Sequence, residues 1–418
     1  MSPIRPAIRQ FARFTPFWIF LTFFKFAGSL HYSLLSPLGE RLMPIWAVGF
    51  LIGGASLVQL SLDVPAGRLL DRFGYRRLLI LSSLIFFAGA SCLFLKFSLG
   101  TYLASIFLSI FGWLFMGPGV NAYILSSAPK ERAGRFMALR DVFGSVGNVL
   151  ASVLLPFVLL LSPTRMGLVL ALSFMAAIVA ILLSPRDRVS VHAQIKLPTQ
   201  HYYIRRELHS SIKMIKRLNP ASTMLLLLNS SGGIFYAVIW FVVPLVLANQ
   251  ADNFLLGIGL GTFDFAVVVL GFLLGSLADR LEKRTLVFFG LLIFSLFGML
   301  LGFGFGLLFV LFGFLATTGD EMAGISLWSW LNTLDREHAH DGAVAGVITL
   351  FEDLGWMIGP ALAGVFYVLI GPTWTVVVGA LPILFSWALY WFVFQKHAIP
   401  HLYPVDVPKK PHKRRHKM

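Results

Sequence analysis

"DVPAGRLLDRFGYRR", residues 63–77, places four arginines and two aspartates in fifteen positions of a chain that is 57% hydrophobic and only 13% charged. What surrounds this stretch decides the fold. With a mean hydropathy of +0.80, 40 Phe and runs such as "LVLALSFMAAIVAILL" at 168–183, the 418 residues carry more apolar surface than a water-soluble core could bury. The remainder must face lipid. In hydrocarbon an unsatisfied backbone group is too costly for anything but helices or closed barrels, and a helix needs roughly 20 apolar residues to cross about 30 Å. The alternating ten-residue segments of a barrel do not occur, so the expectation is an all-α membrane protein.

Apolar runs between charged or Pro/Gly breaks give twelve predicted spans: 14–36, 44–66, 78–97, 101–124, 135–161, 164–184, 221–249, 253–276, 285–303, 306–331, 342–370 and 372–395. Six precede and six follow a polar segment with eight Lys or Arg. The chain therefore divides into a first six-helix bundle (1–184), a linker (185–220) whose second half could form a surface helix, a second bundle (221–395) and a basic tail (396–418). With both termini cytoplasmic, 29 of the 34 Lys and Arg fall on the inner side, Arg41, Lys96 and Arg165 fall outside, and Lys25 and Arg140 lie within spans. The net charge of +15 is thus a topology signal of a multi-pass inner-membrane protein, not a nucleic-acid footprint. The tail is expected to be solvated or to rest on anionic lipid. Arg5, Arg9 and Arg13 precede too long an apolar run, without a small-residue cleavage site, for a signal peptide. Cys92 stands alone, so no internal disulfide forms. No metal-ligand cluster or cofactor motif is evident.

The halves echo one another. Gly67, Leu69, Asp71, Arg72 and Arg76 recur 208 residues later as Gly275, Leu277, Asp279, Arg280 and Arg284 in "GSLADRLEKR". More weakly, "PKERAGRFMALRDVFG" ending at Gly144 resembles "LDREHAHDGAVAGVITLFEDLG" ending at Gly355. Such matches indicate duplication. The pattern from Gly67 through Asp71, Arg72, Gly74 and Arg76 to Arg77 resembles the signature loop of the major facilitator superfamily, with Tyr75 in place of the usual basic residue. Twelve spans in two halves resemble that family along the whole chain. The resemblance implies two pseudo-symmetric six-helix bundles around a central cavity, a monomer among membrane lipids, a small-molecule substrate and alternating access. It also implies that Asp71 sits against the start of the eleventh helix near Gly342–Gly346 while the inner side is closed, where free N–H groups favour a carboxylate. By pseudo-symmetry Asp279 would meet the fifth helix near Gly134 and Arg135, with Arg72, Arg76, Arg280 and Arg284 pairing with these acids or with neighbouring helix ends. Asp63 belongs to the same local network.

Ionisable residues inside spans point to the transport path, because each is costly in hydrocarbon. The candidates for coupling or substrate binding are Lys25, Arg140, Asp141, Asp264, Asp320, Glu321, Glu352 and Asp353. Neighbours such as Asp320 and Glu321 lie about 100° apart, so only one of each pair need face a cavity. A carboxyl group out of water can carry a proton, and Glu352 and Glu321 are the coupling candidates. Lys25 could neutralise an acid or attract an anion. Any of these could instead be a structural ion pair. "GWMIGPALAG" sets Gly355, Gly359, Pro360 and Gly364 in the eleventh span, as a packing face or a hinge. Antiporters of the family carry such a pattern in the fifth span, which here reads "GSVGNVLASVLLP". Trp113 stands where proton-coupled exporters often have arginine. Asn121, Asn148 and Asn229 are expected to bond across helices, His31 to lie at the interface, and the Trp and Phe residues to meet lipid for the most part.

Proton-coupled export of a small amphipathic or hydrophobic compound leads; uptake or facilitated movement of a polar metabolite is second. A membrane-embedded enzyme or a non-transporting receptor is third, since no Ser/His/Asp set or phosphate-cradling loop is present.

Overall fold

The structure, a computed structural model, describes residues 4–127, 133–185, 220–249, 254–334 and 342–396. All regular structure among them is helical: α1 Ile4–Glu40, α2 Ile45–Phe73, α3 Tyr75–Leu95, α4 Leu99–Ser127, α5 Ala133–Leu159, α6 Pro163–Leu183, α7 Pro220–Asn249, α8 Phe254–Arg280, α9 Lys283–Leu301 and α10 Leu307–Leu334. The last run, Gly342–Lys396, breaks at Gly371 (φ 78°) into α11 (342–370) and α12 (372–396). Glycine followed by Pro372 lets the chain reverse at this point, because a left-handed residue next to a proline can continue neither helix.

The opening stretch is barely a loop. Residues 63–73 are the last turns of α2, 75–77 begin α3, and Gly74 (φ 88°) alone turns the corner, its N–H returning to Leu70 O at 3.1 Å. Arg76 donates from Nε to Ile181 O at 3.2 Å and from its terminal nitrogen to Leu182 O, so it ties the start of α3 to the end of α6. Tyr390 Oη donates to Arg284 O at 3.1 Å and joins α12 to the start of α9. The side-chain surroundings of Gly67, Asp71, Arg72, Gly275, Asp279, Arg280 and Glu352 lie outside the described residues. So do residues 186–219 of the linker, the tail from 397 and the expected helix-end partners of Asp71 and Asp279.

Ten stretches among the described residues are long and apolar enough to cross a bilayer, and one of them, Asp353–Phe392, spans both α11 and α12. α1 is not among these stretches, although it sits at the centre of the first bundle against α5 and α6 and also meets α7. Much of its described surface is buried in protein, with Phe17, Trp18, Phe20, Leu21 and Phe24 almost wholly enclosed and Ile19 and Phe23 exposed on one side. A helix largely screened from lipid can carry Lys25, His31 and three serines without the desolvation cost of exposing them to hydrocarbon. The expectation that Trp and Phe mostly face lipid therefore fails for the inner helices. It holds for Trp46, Phe50, Trp374, Phe385 and Phe392, which are exposed.

The bundles meet along α2–α11 and α5–α8, with α1–α7 between them. Small residues bring the backbones together. A Cβ on Gly49 would strike Pro360 O and lie 3.1 Å from Gly364 Cα; one on Gly257 would lie 2.6 Å from Pro156 Cγ and 2.9 Å from Ser152 O. At the same rim Ser36 Oγ donates to Phe241 O at 2.8 Å and Asn249 Nδ2 to Glu40 Oε2 at 3.4 Å. α11 itself is clasped on two sides. Gly355 and Gly359 face α7, where a Cβ would come within 2.6 Å of Ser230 O and 2.8 Å of Ile234 O; Gly364 faces α2, with Ile45 O at 2.8 Å. The helix runs through Pro360 without a non-helical residue.

Candidate functional site

Between the bundles lies a cavity of about 540 Å³. On α1 the lining residues include 25, 28, 29, 32 and 35, the repeat of one helical face. Gly147 presses α1 onto α5, since a Cβ there would collide with Thr22 O and lie 2.9 Å from Phe26 N. Thr22 Oγ1 donates to Phe143 O at 3.1 Å across the same seam. Lys25, on the cavity face of that seam, holds its Nζ 5.3 Å from the centre of the Trp113 ring. The face of the Trp113 ring thus stabilises the Lys25 ammonium. Lys25 makes no ion pair among the described residues.

Four acids line the opposite walls: Asp264 from α8, Asp320 and Glu321 from α10, and Asp353 from α11. Asp264 accepts from Asn148 Nδ2 at 2.7 Å and from the Ser145 hydroxyl, both on α5, so this carboxylate bridges the two bundles. Asp320 accepts from Tyr236 Oη on α7 at 2.7 Å. Asp353 meets Gln59 Nε2 of α2 at 3.4 Å, a second link between bundles. Glu321 accepts no hydrogen bond among the described residues. Both α10 acids line the cavity, because α10 turns an arc toward it wide enough to hold side chains one residue apart. Removing the amide of a buried amide–carboxylate bond typically costs about 1–3 kcal/mol. Asn148→Ala is accordingly expected to lower the melting temperature of the detergent-solubilised protein, measured by a thermal-shift assay, while Asn229→Ala, whose side chain has no partner among the described residues, should leave it nearly unchanged.

Arg140 and Asp141 pair with each other, Nε to Oδ1 at 2.8 Å, and Arg140 also donates to Asn121 of α4. They do not line the cavity, and the Asp141 side chain is 48% exposed. Their place is a surface ion pair at the α4–α5 seam.

Sequence reading passed over several residues. His31 is not interfacial: it is 2% exposed, lines the cavity, and bonds through Nε2 to Ser105 Oγ of α4 at 2.9 Å. Gln59, Tyr32, Tyr236, Trp240 and Trp356 line the cavity as well. The signal that could have found the α1 set is the spacing of Lys25, Ser29, Tyr32 and Ser36, a polar stripe on an otherwise apolar helix. The tryptophans gave no such signal, because an aromatic reads alike against lipid and in a cavity wall.

Twelve helices in two bundles that enclose a charged cavity between them are the architecture of a solute transporter, not of an enzyme. The Major Facilitator Superfamily profile matches residues 7–334 and 225–417, and the chain belongs to that family. "Multidrug resistance protein 2" of Bacillus subtilis is 24% identical over 361 residues, 82% of this chain and 86% of its own. An uncharacterized MFS-type transporter of Mycobacterium tuberculosis is 31% identical over 134 residues, 32% of this chain and 31% of the relative's length. Among solved structures, a POT family transporter in complex with a thioalcohol-conjugated peptide superposes with a TM-score of 0.67 at 12% identity, covering 90% of this chain and 95% of that one. The Escherichia coli fucose:proton symporter gives 0.53 at 16% identity, covering 90% and 98%. At these identities the two structures share the fold alone.

Proposed function

We propose that the protein exports a small amphipathic cation in exchange for protons, the two bundles rocking about the central cavity. The observation that carries this reading is the cavity's composition: four carboxylates against one lysine, set among the rings of Trp113, Trp240, Trp356 and Phe263. Such walls favour a positive charge attached to a flat apolar body, through Coulomb attraction and cation–π contact. The name of the Bacillus subtilis relative supports export of a drug-like solute. Glu321 is the proton site, because protonating it disturbs no existing hydrogen bond, whereas Asp264 and Asp320 are each engaged by donors. Orientation follows the charge bias: the rim with Gly74 and the Lys- and Arg-rich segments faces the cytoplasm, and the rim with Glu40 and Asn249 faces outward. The test is uptake of tetraphenylphosphonium into inverted membrane vesicles. Accumulation driven by an inside-acidic gradient is expected; the same uptake with and without the gradient would contradict proton exchange.

Asp71 and Asp279 act in this scheme as latches at the cytoplasmic rim. A helix-end carboxylate contact contributes up to about 1 kcal/mol, enough to shift a two-state balance about fivefold. Asp71→Asn is therefore expected to lower turnover in proteoliposomes while leaving solute affinity almost unchanged. A large loss of affinity at normal turnover would place Asp71 in the binding site instead.

A further inference from the structure

One end of the cavity is not acidic, and the reading above leaves it without a role. Where α1 approaches the rim sealed by Ser36 and Phe241, the cavity wall is made by Ser29, His31 and Tyr32 of α1 and Ser109 of α4. His31 is committed there to Ser105 Oγ. Tyr32 is not committed. Its hydroxyl oxygen is shut off from solvent and has no hydrogen-bond partner among the described residues. The contrast with other buried tyrosines is sharp: Tyr102 donates to Leu35 O at 2.7 Å, Tyr123 to Pro185 O at 2.6 Å, Tyr236 to Asp320 Oδ2 at 2.7 Å and Tyr390 to Arg284 O at 3.1 Å. Among the described residues two further buried polar side-chain atoms lack partners, Trp18 Nε1 and Trp387 Nε1, but neither residue lines the cavity. A buried hydroxyl without a partner is costly, and fold stability alone gives no reason to keep it.

The Tyr32 ring is also held in place. It stands edge-on to Trp356 of α11, ring centroids 5.3 Å apart and planes at 85°, so the second bundle holds the ring that carries this first-bundle hydroxyl. Tyr32 lies seven residues beyond Lys25 on α1, about 10 Å along the helix axis at 1.5 Å per residue. Lys25 marks the acidic level of the cavity: it packs against Gly144 and Gly147 of α5, beside Asn148, which bonds Asp264.

We infer that this end of the cavity is a hydrogen-bonding subsite for the solute, in which Tyr32 Oη donates to an acceptor oxygen. The inference rests on the cation reading and sharpens it: the preferred solute carries its positive charge at the acidic level and an ether, carbonyl or hydroxyl oxygen some 10 Å away, across a flat apolar body. Tyr32 is then a specificity-determining residue, and His31, fixed by Ser105, shapes the floor beside it.

Two cations that differ by one methoxy group test this: tetraphenylphosphonium, which has no hydrogen-bonding group, and (4-methoxyphenyl)triphenylphosphonium. Binding of each to the purified full-length protein is measured by equilibrium dialysis, for the unmodified chain and for Tyr32→Phe. The unmodified protein should prefer the methoxy compound by about 2- to 10-fold, the effect of one neutral hydrogen bond. Tyr32→Phe should bring that ratio to about 1. A ratio that is the same in both proteins overturns the subsite while leaving the cation reading intact. Failure of the unmodified protein to bind either compound overturns the cation reading, and the subsite with it.

Discussion

Glu321→Gln is expected to reduce proton-driven solute movement by about tenfold or more, equivalent to at least about 1.4 kcal/mol of lost coupling, while solute-for-solute exchange across the same vesicles continues. Glutamine keeps the size and polarity of the side chain and removes only its capacity to gain and lose a proton. Glu321 lines the cavity next to Asp320 and shares it with Asp264. The neighbouring acids are differently placed. Asp264 is anchored by Asn148 and Ser145, and Asp320 by Tyr236, so amide substitution there breaks hydrogen bonds as well as removing charge. Asp264→Asn should therefore impair exchange along with proton-driven movement. If Glu321→Gln retains a full response to an imposed pH gradient, the proton passes elsewhere, and Glu352 and Asp353 become the next sites to examine.

A larger effect is expected at the seam between α2 and α11. In Gly49→Val the new side chain must displace backbone, not a flexible neighbour, because Pro360 O and Gly364 Cα stand in its way. Overpacking of this kind costs about 1–3 kcal/mol. The cost falls only on the state in which this rim is closed, so the population of that state should fall by about 5- to 150-fold. Gly54, five residues along the same helix, has nothing within 4 Å of a would-be Cβ, and Gly54→Val is the matched control. A single cysteine at position 29 in the cavity wall, introduced with Cys92→Ser, reports the state through its labelling by a membrane-impermeant thiol reagent. Gly49→Val should raise labelling from the side of the Glu40 rim and depress transport. Gly54→Val should do neither. Equal labelling in all three proteins would show that the α2–α11 contact does not close the rim.

Much of this architecture could be read from the residues, for definite physical reasons. Lipid demands long apolar helices, so composition and spacing located the twelve helices to within a few residues at most ends. Gly67 to Arg76 and its echo at 275–284 marked corresponding corners of the two halves through one glycine and a shared set of charges, although Gly74, which turns the first corner, has Glu282 as its counterpart. What stayed hidden was which side of each helix faces protein. Hydropathy separates water from hydrocarbon, but Phe24 in the core and Phe385 in lipid contribute the same value to it. His31 was misplaced for that reason, and α1 escapes a hydropathy criterion because its polar groups are paid for by protein neighbours. Rarity of charge brought forward Lys25, Asp264, Asp320, Glu321 and Asp353 as coupling or substrate candidates, and these line the cavity. It brought forward Arg140 and Asp141 equally, and these lie on a helix seam, since charge in a span says that a partner exists without saying whether the partner is a solute. Gln59 and Tyr236 are neutral, and nothing in their sequence context distinguished them, whereas Tyr32 belongs to a polar stripe on α1.

The motion of one bundle against the other is tested most directly at the Glu40–Asn249 pair, which joins α1 to α7 across the rim at 3.4 Å. With Cys92→Ser as background, Glu40→Cys and Asn249→Cys are introduced together and bridged by a short thiol-specific cross-linker in proteoliposomes. Transport should stop on bridging and return when a cleavable linker is reduced, with each single-cysteine protein unaffected by the reagent. Undiminished transport in the bridged protein would contradict opening of this rim, and alternating access by these two bundles with it.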